Sequence, residues 1–372
     1  MKIAIDIRTA GGEKAGKGWY TFHIVQNLIK LDHQNQYILY AKNGIPGFEQ
    51  FKNSKQKIIK GSGFFWHKKV ARDVKKENID IFFAPGSYII PAILPGSVKK
   101  IIAVHDLVTF YFPDTHNKKA VLIERLYLKK ALKKADRILA SSKNTKKDIL
   151  EKFKINPEKI KVIYCAAGEN FKPLKKDSLK PVIEKTNLPK NFFLAVGTLI
   201  PRKNYPNLLK AFVQIHEKFP DYHLIIVGNK GWDYDEIYKI IQKNYLNKYV
   251  HLLGYLSEKS LINLYNLAKA LVFPSFYEGF GIPPLEAMKC GCLVIASFTS
   301  SIPEVVDEAG ILINPENPTE IAGAMAQLIT DEDLCEKFRN LGFIQSKKFS
   351  WDLSSERLLE IINSINLPGR TD

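Results

Sequence analysis

The stretch PSFYEGFGIPPLEAMKC, Pro274 to Cys290, sets Glu278 on a glycine-rich loop and Glu286, eight positions on, in a short helix. Pro283 and Pro284 suit a first helical turn, because the ring holds φ near the helical value and no amide donor is needed there. Gly291, just past the pattern, can end the helix in the left-handed region. A helix start near Pro284 is therefore expected. Gly279 and Gly281 let the backbone approach a ligand closely, and free amides at a helix start draw phosphate. A glutamate in the first turn can accept hydrogen bonds from a ribose diol, and one on the loop can reach hydroxyls beyond the phosphate. An anion site flanked by carboxylates in this way suits a sugar nucleotide.

With its continuation GCLVIASFTSSIPEVVDEAGILINP, Gly291 to Pro315, the segment resembles the signature of glycosyltransferase family 4 (group 1), retaining enzymes of the two-domain GT-B fold. YEGFGIPPLEAM resembles the mannosyltransferases of bacterial surface-polysaccharide assembly more than other branches. The family's paired glutamates fall on Glu278 and Glu286. The resemblance implies an α/β chain of two doubly wound Rossmann-like domains facing across a cleft. Residues 1–170 would bind the acceptor, joined by a C-terminal helix at 351–368, and residues 181–350 would bind the nucleotide sugar. It further implies hexosyl transfer, with no cofactor, from GDP-mannose or a UDP-sugar to a glycan or lipid-linked acceptor, and Arg202, Lys203 and the helix start would make a metal unnecessary. Phe280, Gly281 and Ile282 would line the donor beside Glu286.

Composition bounds the reading independently. A chain of 372 residues with 45% hydrophobic content can build two cores. No apolar run reaches the roughly 20 residues a spanning helix needs, and MKIAIDIR at the start reads as a short strand. Four cysteines, Cys165, Cys290, Cys292 and Cys335, lack paired spacing and are too sparse for a disulfide framework. A reducing cytoplasm, with peripheral contact at the inner face of the membrane, is the expected location. The net charge of +17 is uneven: residues 1–180 hold 36 Lys and Arg against 16 Asp and Glu, whereas residues 181–372 hold 19 against 22. The basic half suits a polyanionic partner such as an anionic membrane or a phosphorylated acceptor, or else a lysine-rich solubilising surface.

Apolar runs at Ile3–Ile7, Tyr37–Tyr40, Ile79–Ala84, Ile101–His105, Arg137–Ala140 and Lys161–Tyr164 alternate with amphipathic stretches, which predicts a mostly parallel sheet flanked by helices. The lysine- and proline-rich Ala166–Lys190 reads as a linker. The pattern then restarts with strands at Asn191–Gly197, His223–Gly228, Val250–Leu253, Ala270–Phe273, Leu293–Ala296 and Ile311–Ile313. Helices are expected between them at Leu208–Phe219, Ser257–Ala268 and Ile321–Ile329, and a last one at Trp351–Ile365. Ligand sites in such sheets lie at the carboxyl ends of the strands.

Further motifs sit at those ends. In GTLIPRKN, Gly197 to Asn204, Arg202 as a fork and Lys203 as a point charge can clamp a diphosphate. The family often has an arginine directly after the glycine; here that position is Thr198. In GGEKAGKGWYT, Gly11 to Thr21, Gly16 and Gly18 resemble the family's glycine-rich loop between first strand and first helix. In VHDL, Val104 to Leu107, His105 resembles the family histidine that contacts the transferred sugar, with Asp106 as companion. Asp233 and Asp235 could mimic a metal-binding pair but read as capping of a helix N-terminus. In GSGFFWHKKVARDVKK, Gly61 to Lys76, Phe64, Phe65 and Trp66 adjoin a run of cations, which suits an anionic bilayer interface or, for the aromatics, a core.

Two other classes compete. A sugar-nucleotide epimerase of similar architecture would turn over without an acceptor. A basic nucleic-acid-binding protein fits the charge, but no helix-turn-helix, zinc or RNA-binding aromatic motif accompanies it.

Overall fold

The computed structural model of the chain describes residues 1–12, 16–115, 118–175, 177–179, 188–231 and 234–366. The chain divides into two compact units. One comprises Met1–Pro113, Asn117–Cys165 and Ser350–Asp372, and the other Asp114–His116 and Ala166–Phe349.

The first unit is built on seven parallel strands, β1 (Lys2–Asp6), β2 (Gln36–Ala41), β3 (Ser54–Ile58), β4 (Ile81–Ala84), β5 (Lys99–Val104), β6 (Arg137–Ala140) and β7 (Ile160–Val162). They lie in the order 3-2-1-4-5-6-7. β1 is central, pairing Ile3 with Tyr37 on one side and with Ile81 on the other. Helices cover both faces, so its side chains from Ile3 to Asp6 are all buried and the strand reads as a continuous apolar run rather than an alternation. β3, SKQKI, is the strand the apolar pattern misses. It is an edge strand whose polar side chains stay half-exposed, and such an edge needs hydrogen bonds to β2 but no apolar face.

The second unit has six parallel strands, β8 (Asn191–Val196), β9 (Tyr222–Val227), β10 (Val250–Leu252), β11 (Ala270–Phe273), β12 (Leu293–Ser297) and β13 (Ile311–Ile313), in the order 10-9-8-11-12-13. The helix Tyr205–Lys218 buries Leu208, Leu209, Phe212 and Ile215 on this sheet, the spacing of one helical face. Strand order reverses between β8 and β11, so the loops leaving those two strands open at the topological switch point, where doubly wound sheets take ligands.

The helix Trp351–Asn363 belongs to the first unit. Ser350 caps it, accepting from Leu353 N at 3.1 Å, and it lies against the helix Lys17–Leu31. Ser355 Oγ donates to Ile24 O at 3.3 Å and Ser354 Oγ to Tyr164 O at 2.7 Å, with Trp351, Leu358 and Ile362 buried. The stretch read as a linker is in part fixed structure. Ala166, Ala167 and Phe171 are buried, Lys289 Nζ donates to Gly168 O at 3.1 Å, and Leu174 N donates to Asn266 Oδ1 at 2.7 Å. Residues 176 and 180–187 of that stretch lie outside the described residues. All four cysteines are buried thiols. Among the described residues, no helix is long and apolar enough to cross a membrane.

Candidate active site

Two loops of the second unit build the site. β8 ends at Gly197, whose φ of 147° is closed to other residues, and a Cβ there would come within 2.9 Å of Lys203 Cε. The chain then makes a short turn, Pro201–Lys203, that stops at Asn204 in the left-handed conformation. Asn204 is buried, and its amide donates to Pro274 O at 3.1 Å and to Pro315 O at 2.6 Å. Phe276 N donates to Arg202 O at 2.9 Å. The loop after β8 is thereby tied to the loop after β11.

That tie brings three charges together. Glu278 Oε1 accepts from Lys203 Nζ at 2.7 Å and pairs with Arg202 Nη1 at 2.8 Å, while Arg202 also donates to Tyr277 O. The side chains are only 12–14% exposed, and Lys203 Nζ also stands 4.6 Å over the Phe273 ring. Burial alone would push the Glu278 carboxyl up, but Arg202 and Lys203 outweigh it and hold Glu278 down at about 2. Arg202 and Lys203 are thus not the exposed cations that a helix start would ordinarily carry.

A serine- and threonine-rich turn after β12 holds the Glu278 loop in place. Ser300 Oγ accepts from Glu278 N at 2.9 Å, and Ser301 Oγ donates to Glu278 O at 2.9 Å and to Phe280 O at 2.8 Å. Thr299 Oγ1 donates to Phe276 O at 3.0 Å and Ser297 Oγ to Ser275 O at 2.7 Å. Each hydroxyl satisfies backbone that a buried loop could not otherwise pair.

The following helix spans Ile282–Lys289, two residues earlier than the expected start at Pro284. Gly281 makes the difference: at φ 114° it turns the chain into the helix, leaving Pro283 and Pro284 in the first turn, and a Cβ on it would meet Ile302 Cδ1 at 2.8 Å. Gly291, at φ 77°, follows the C-terminus as expected. Glu286 projects from this helix toward the helix Glu258–Leu267, where Tyr265 Oη donates to its Oε2 at 2.9 Å. Burial raises Glu286 to about 7 although the Tyr265 hydrogen bond opposes it. The two glutamates of one motif therefore sit in opposite electrostatic settings.

The first unit places the remaining candidates. His105 follows β5 and is buried, with Nε2 2.6 Å from Pro85 O and the Tyr20 ring at 4.5 Å edge-on. Burial and then Lys17 lower its pKa to about 4, so the imidazole is neutral. Asp106 Oδ1 accepts from Val108 N at 3.0 Å. Gly16 is the last residue before the helix Lys17–Leu31, at φ 28°, and Gly18 lies inside that helix rather than on a loop. Glu13, Lys14 and Ala15 lie outside the described residues, as does Asp233. Asp235 sits in the first turn of the helix Asp235–Lys243, where it complements the dipole; the N-cap itself is Tyr234, so the capping expectation does not hold for Asp235. Trp66 is fully buried with Val70 and Val74, the core reading of the two open to the aromatics, while Phe64 and Phe65 are exposed.

Residue-by-residue reading misses Asn204, Tyr265 and the hydroxyls of Ser297, Thr299, Ser300 and Ser301. The only signal for the latter was their density within SFTSS.

Comparison with known proteins gives the family and the fold. The model for glycosyl transferases group 1 matches residues 178–343, and that for glycosyltransferase family 4 matches residues 15–167. The chain is 32% identical over 275 residues to O-antigen chain mannosyltransferase B of Escherichia coli, covering 73% of this chain and 71% of that one. It is 31% identical over 248 residues to O-antigen chain mannosyltransferase RfbU of Salmonella typhimurium, covering 66% and 65%. It also matches the serotype-specific mannosyltransferase WbdA of E. coli at 29% identity, spanning 70% of this chain but 33% of that longer protein. In fold it is similar to Anabaena HepE, solved in complex with UDP-glucose, at TM-score 0.81 and 20% identity over 98% of this chain and 100% of that one. It is similar also to WaaG, a glycosyltransferase involved in lipopolysaccharide biosynthesis, at TM-score 0.75 and 15% identity over 98% of this chain and 100% of that one. The two Rossmann-like sheets are those of the GT-B fold, and the chain belongs to the group 1, family 4 glycosyltransferases.

Proposed function

We propose that the protein transfers a mannosyl residue from GDP-mannose to a glycan or lipid-linked acceptor in surface-polysaccharide assembly, with retention of configuration and without a cofactor or divalent metal. The observation that carries the reading is the cluster of Arg202, Lys203 and Glu278 at 2.7–2.8 Å, beside the start of the helix Ile282–Lys289. Two cations share one carboxylate, so the cluster keeps a net positive charge for a diphosphate. An arriving phosphate would compete with Glu278 for Arg202 and Lys203, freeing the carboxylate to accept from sugar hydroxyls. Gly197, Phe280, Gly281 and Ile282 would border the donor, and Glu286 would hold the ribose diol. The names of the O-antigen mannosyltransferase relatives support mannose as the sugar.

In the step we propose, the bond from the sugar C1 to the diphosphate oxygen breaks and a bond from the acceptor oxygen to C1 forms on the same face. The acceptor proton passes to the departing diphosphate. Arg202, Lys203 and the helix start would stabilise the charge that develops there. His105, neutral and held by Pro85, would orient the sugar with Asp106 rather than attack it, and Gly16 and Gly18 would bring backbone toward the substrates. We place the protein in the cytoplasm, at the inner face of the membrane.

Thermal shift with GDP, UDP and ADP tests the base, and release of nucleoside diphosphate with and without an acceptor glycan tests the reaction. Stabilisation by GDP alone and acceptor-dependent release support the reading. Stabilisation by UDP alone would replace the donor with a UDP-sugar, and release that ignores the acceptor would favour epimerase-like chemistry.

A further inference from the structure

Glu286 offers a ligand one carboxylate oxygen rather than two. Tyr265 Oη donates to its Oε2 at 2.9 Å, whereas Oε1 has no hydrogen-bond partner among the described residues. Glu286 is partly exposed and Tyr265 fully buried, so the phenol is the fixed member of the pair. What fixes it lies outside its own helix. The buried ring of Phe171, in the segment that follows the first unit in sequence, stands edge-on to the Tyr265 ring at 6.1 Å and 62°. Rings at that spacing and tilt attract each other, positive edge to negative face.

That segment, Ala167–Leu174, is laced to both helices that carry the pair. On the helix Glu258–Leu267, Asn266 accepts from Leu174 N at 2.7 Å and donates to Lys172 O at 3.2 Å, so one side-chain amide serves the segment's backbone in both directions. Asn170 Nδ2 donates to Glu258 Oε1 at 2.8 Å on the same helix. On the helix Ile282–Lys289, Lys289 Nζ donates to Gly168 O at 3.1 Å. Phe171 N closes a turn onto Gly168 O at 3.3 Å, which sets the ring between these anchors. A stretch that merely linked two units could stay solvated. This one buries an aromatic ring against the phenol that holds Glu286.

We propose that Phe171 and Tyr265 are positioning residues for nucleotide binding: the segment seats Phe171, Phe171 packs Tyr265, and Tyr265 holds Oε2 of Glu286 so that Oε1 is left to accept from the ribose diol. The inference rests on the ribose reading of Glu286. Displacing the phenol lets the carboxylate turn and removes a hydrogen bond that favours its charged form. Of the other groups around it, Glu258 on the Tyr265 helix opposes ionisation, Lys289 and Cys290 adjoin it on its own helix, and the segment brings Glu169, which acts on Lys289. The helix Glu332–Ser346 lies on the far side, with Gly342 against Met288.

The experiment follows the Glu286 carboxyl by carbon-13 NMR of glutamate-labelled protein without nucleotide, its resonance identified by its loss in Glu286→Gln. Tyr265→Phe keeps a ring against Phe171 and removes the hydroxyl, so the titration midpoint should rise above about 7. Phe171→Leu should raise it in the same direction by less. Calorimetry at pH 8 then measures affinity for GDP, or for UDP if that binds the wild type more tightly. Tyr265→Phe should weaken it about tenfold and Phe171→Leu by less. In a Glu286→Gln background Tyr265→Phe should cost nothing further. A packing role alone would lower stability and leave the midpoint where it is. An unmoved midpoint in either variant, with native circular dichroism, would overturn the positioning. A moved midpoint with Glu286→Gln binding nucleotide like the wild type would instead overturn the ribose reading beneath it.

Discussion

Lys203 Nζ and Glu278 Oε1 stand 2.7 Å apart across 75 positions of sequence, and the same oxygen lies 2.8 Å from Arg202 Nη1. Removing one member of a buried charge cluster leaves its partners uncompensated, so the cluster acts as a unit.

Glu278→Gln keeps the shape and removes the charge. Affinity for bare nucleoside diphosphate should hold or rise, because both cations are freed, whereas turnover with the intact donor should fall at least about tenfold. Calorimetry and initial rates measure the two. Equal losses in both would place Glu278 away from the sugar.

Glu286 should make nucleotide binding pH-dependent, since its carboxyl, raised by burial to about 7, accepts best when ionised. Affinity is expected to rise as pH increases through about 7, and Glu286→Ala should weaken binding by ~1.5–3 kcal/mol at pH 8. The stability effect has the opposite sign. A folded pKa above the unfolded value gives stability that is present below the unfolded carboxylate range and is lost as pH rises through about 7. Glu286→Gln should therefore flatten thermal stability in that window. Glu278, held at about 2, behaves inversely: its contribution is present above the unfolded carboxylate range and lost as pH falls toward 2. Nucleotide affinity that is flat from pH 5 to 8 would sink the ribose assignment.

Asn204→Ala leaves Pro274 O and Pro315 O without their common donor and strains a left-handed residue. It should cost about 2–4 kcal/mol of stability by chemical denaturation. Asn204→Gly relieves the backbone and should recover part of that loss. Equal stabilities for the two variants would mean that φ at this position contributes nothing.

Transfer activity should survive excess EDTA if Arg202, Lys203 and the helix start suffice for the leaving diphosphate. Loss on chelation with rescue by Mn²⁺ would refute metal independence.

The parallel strands were legible because strands covered on both faces read as unbroken apolar runs, as in Ile3–Ile5 and Ala270–Phe273. β3 was not, since an edge strand made of Lys55, Gln56 and Lys57 carries no apolar signal. Trp66 stayed open between interface and core although Val70 and Val74 follow at four-residue spacing, because proximity to Phe64 and Phe65 in sequence says nothing of helical face. In the site, Glu278 and Glu286 stood out through their glycines and prolines. Their settings did not: Arg202, Lys203 and Tyr265 meet them across 76, 75 and 21 positions, distances over which no local pattern operates.

The helix Trp351–Asn363 gives the chain a temporal order. The face of the helix Lys17–Leu31 that receives Trp351 and Ser355 is translated early, and the helix that covers it late. During synthesis the first unit must therefore wait with that apolar seam open until the whole second unit has left the ribosome. The second unit, contiguous from Ala166 to Phe349 apart from Asp114–His116, can close on itself earlier. A released chain lacking Trp351–Asn363 would accordingly hold every segment of the second unit and leave that seam of the first uncovered, although most of the first is translated earlier.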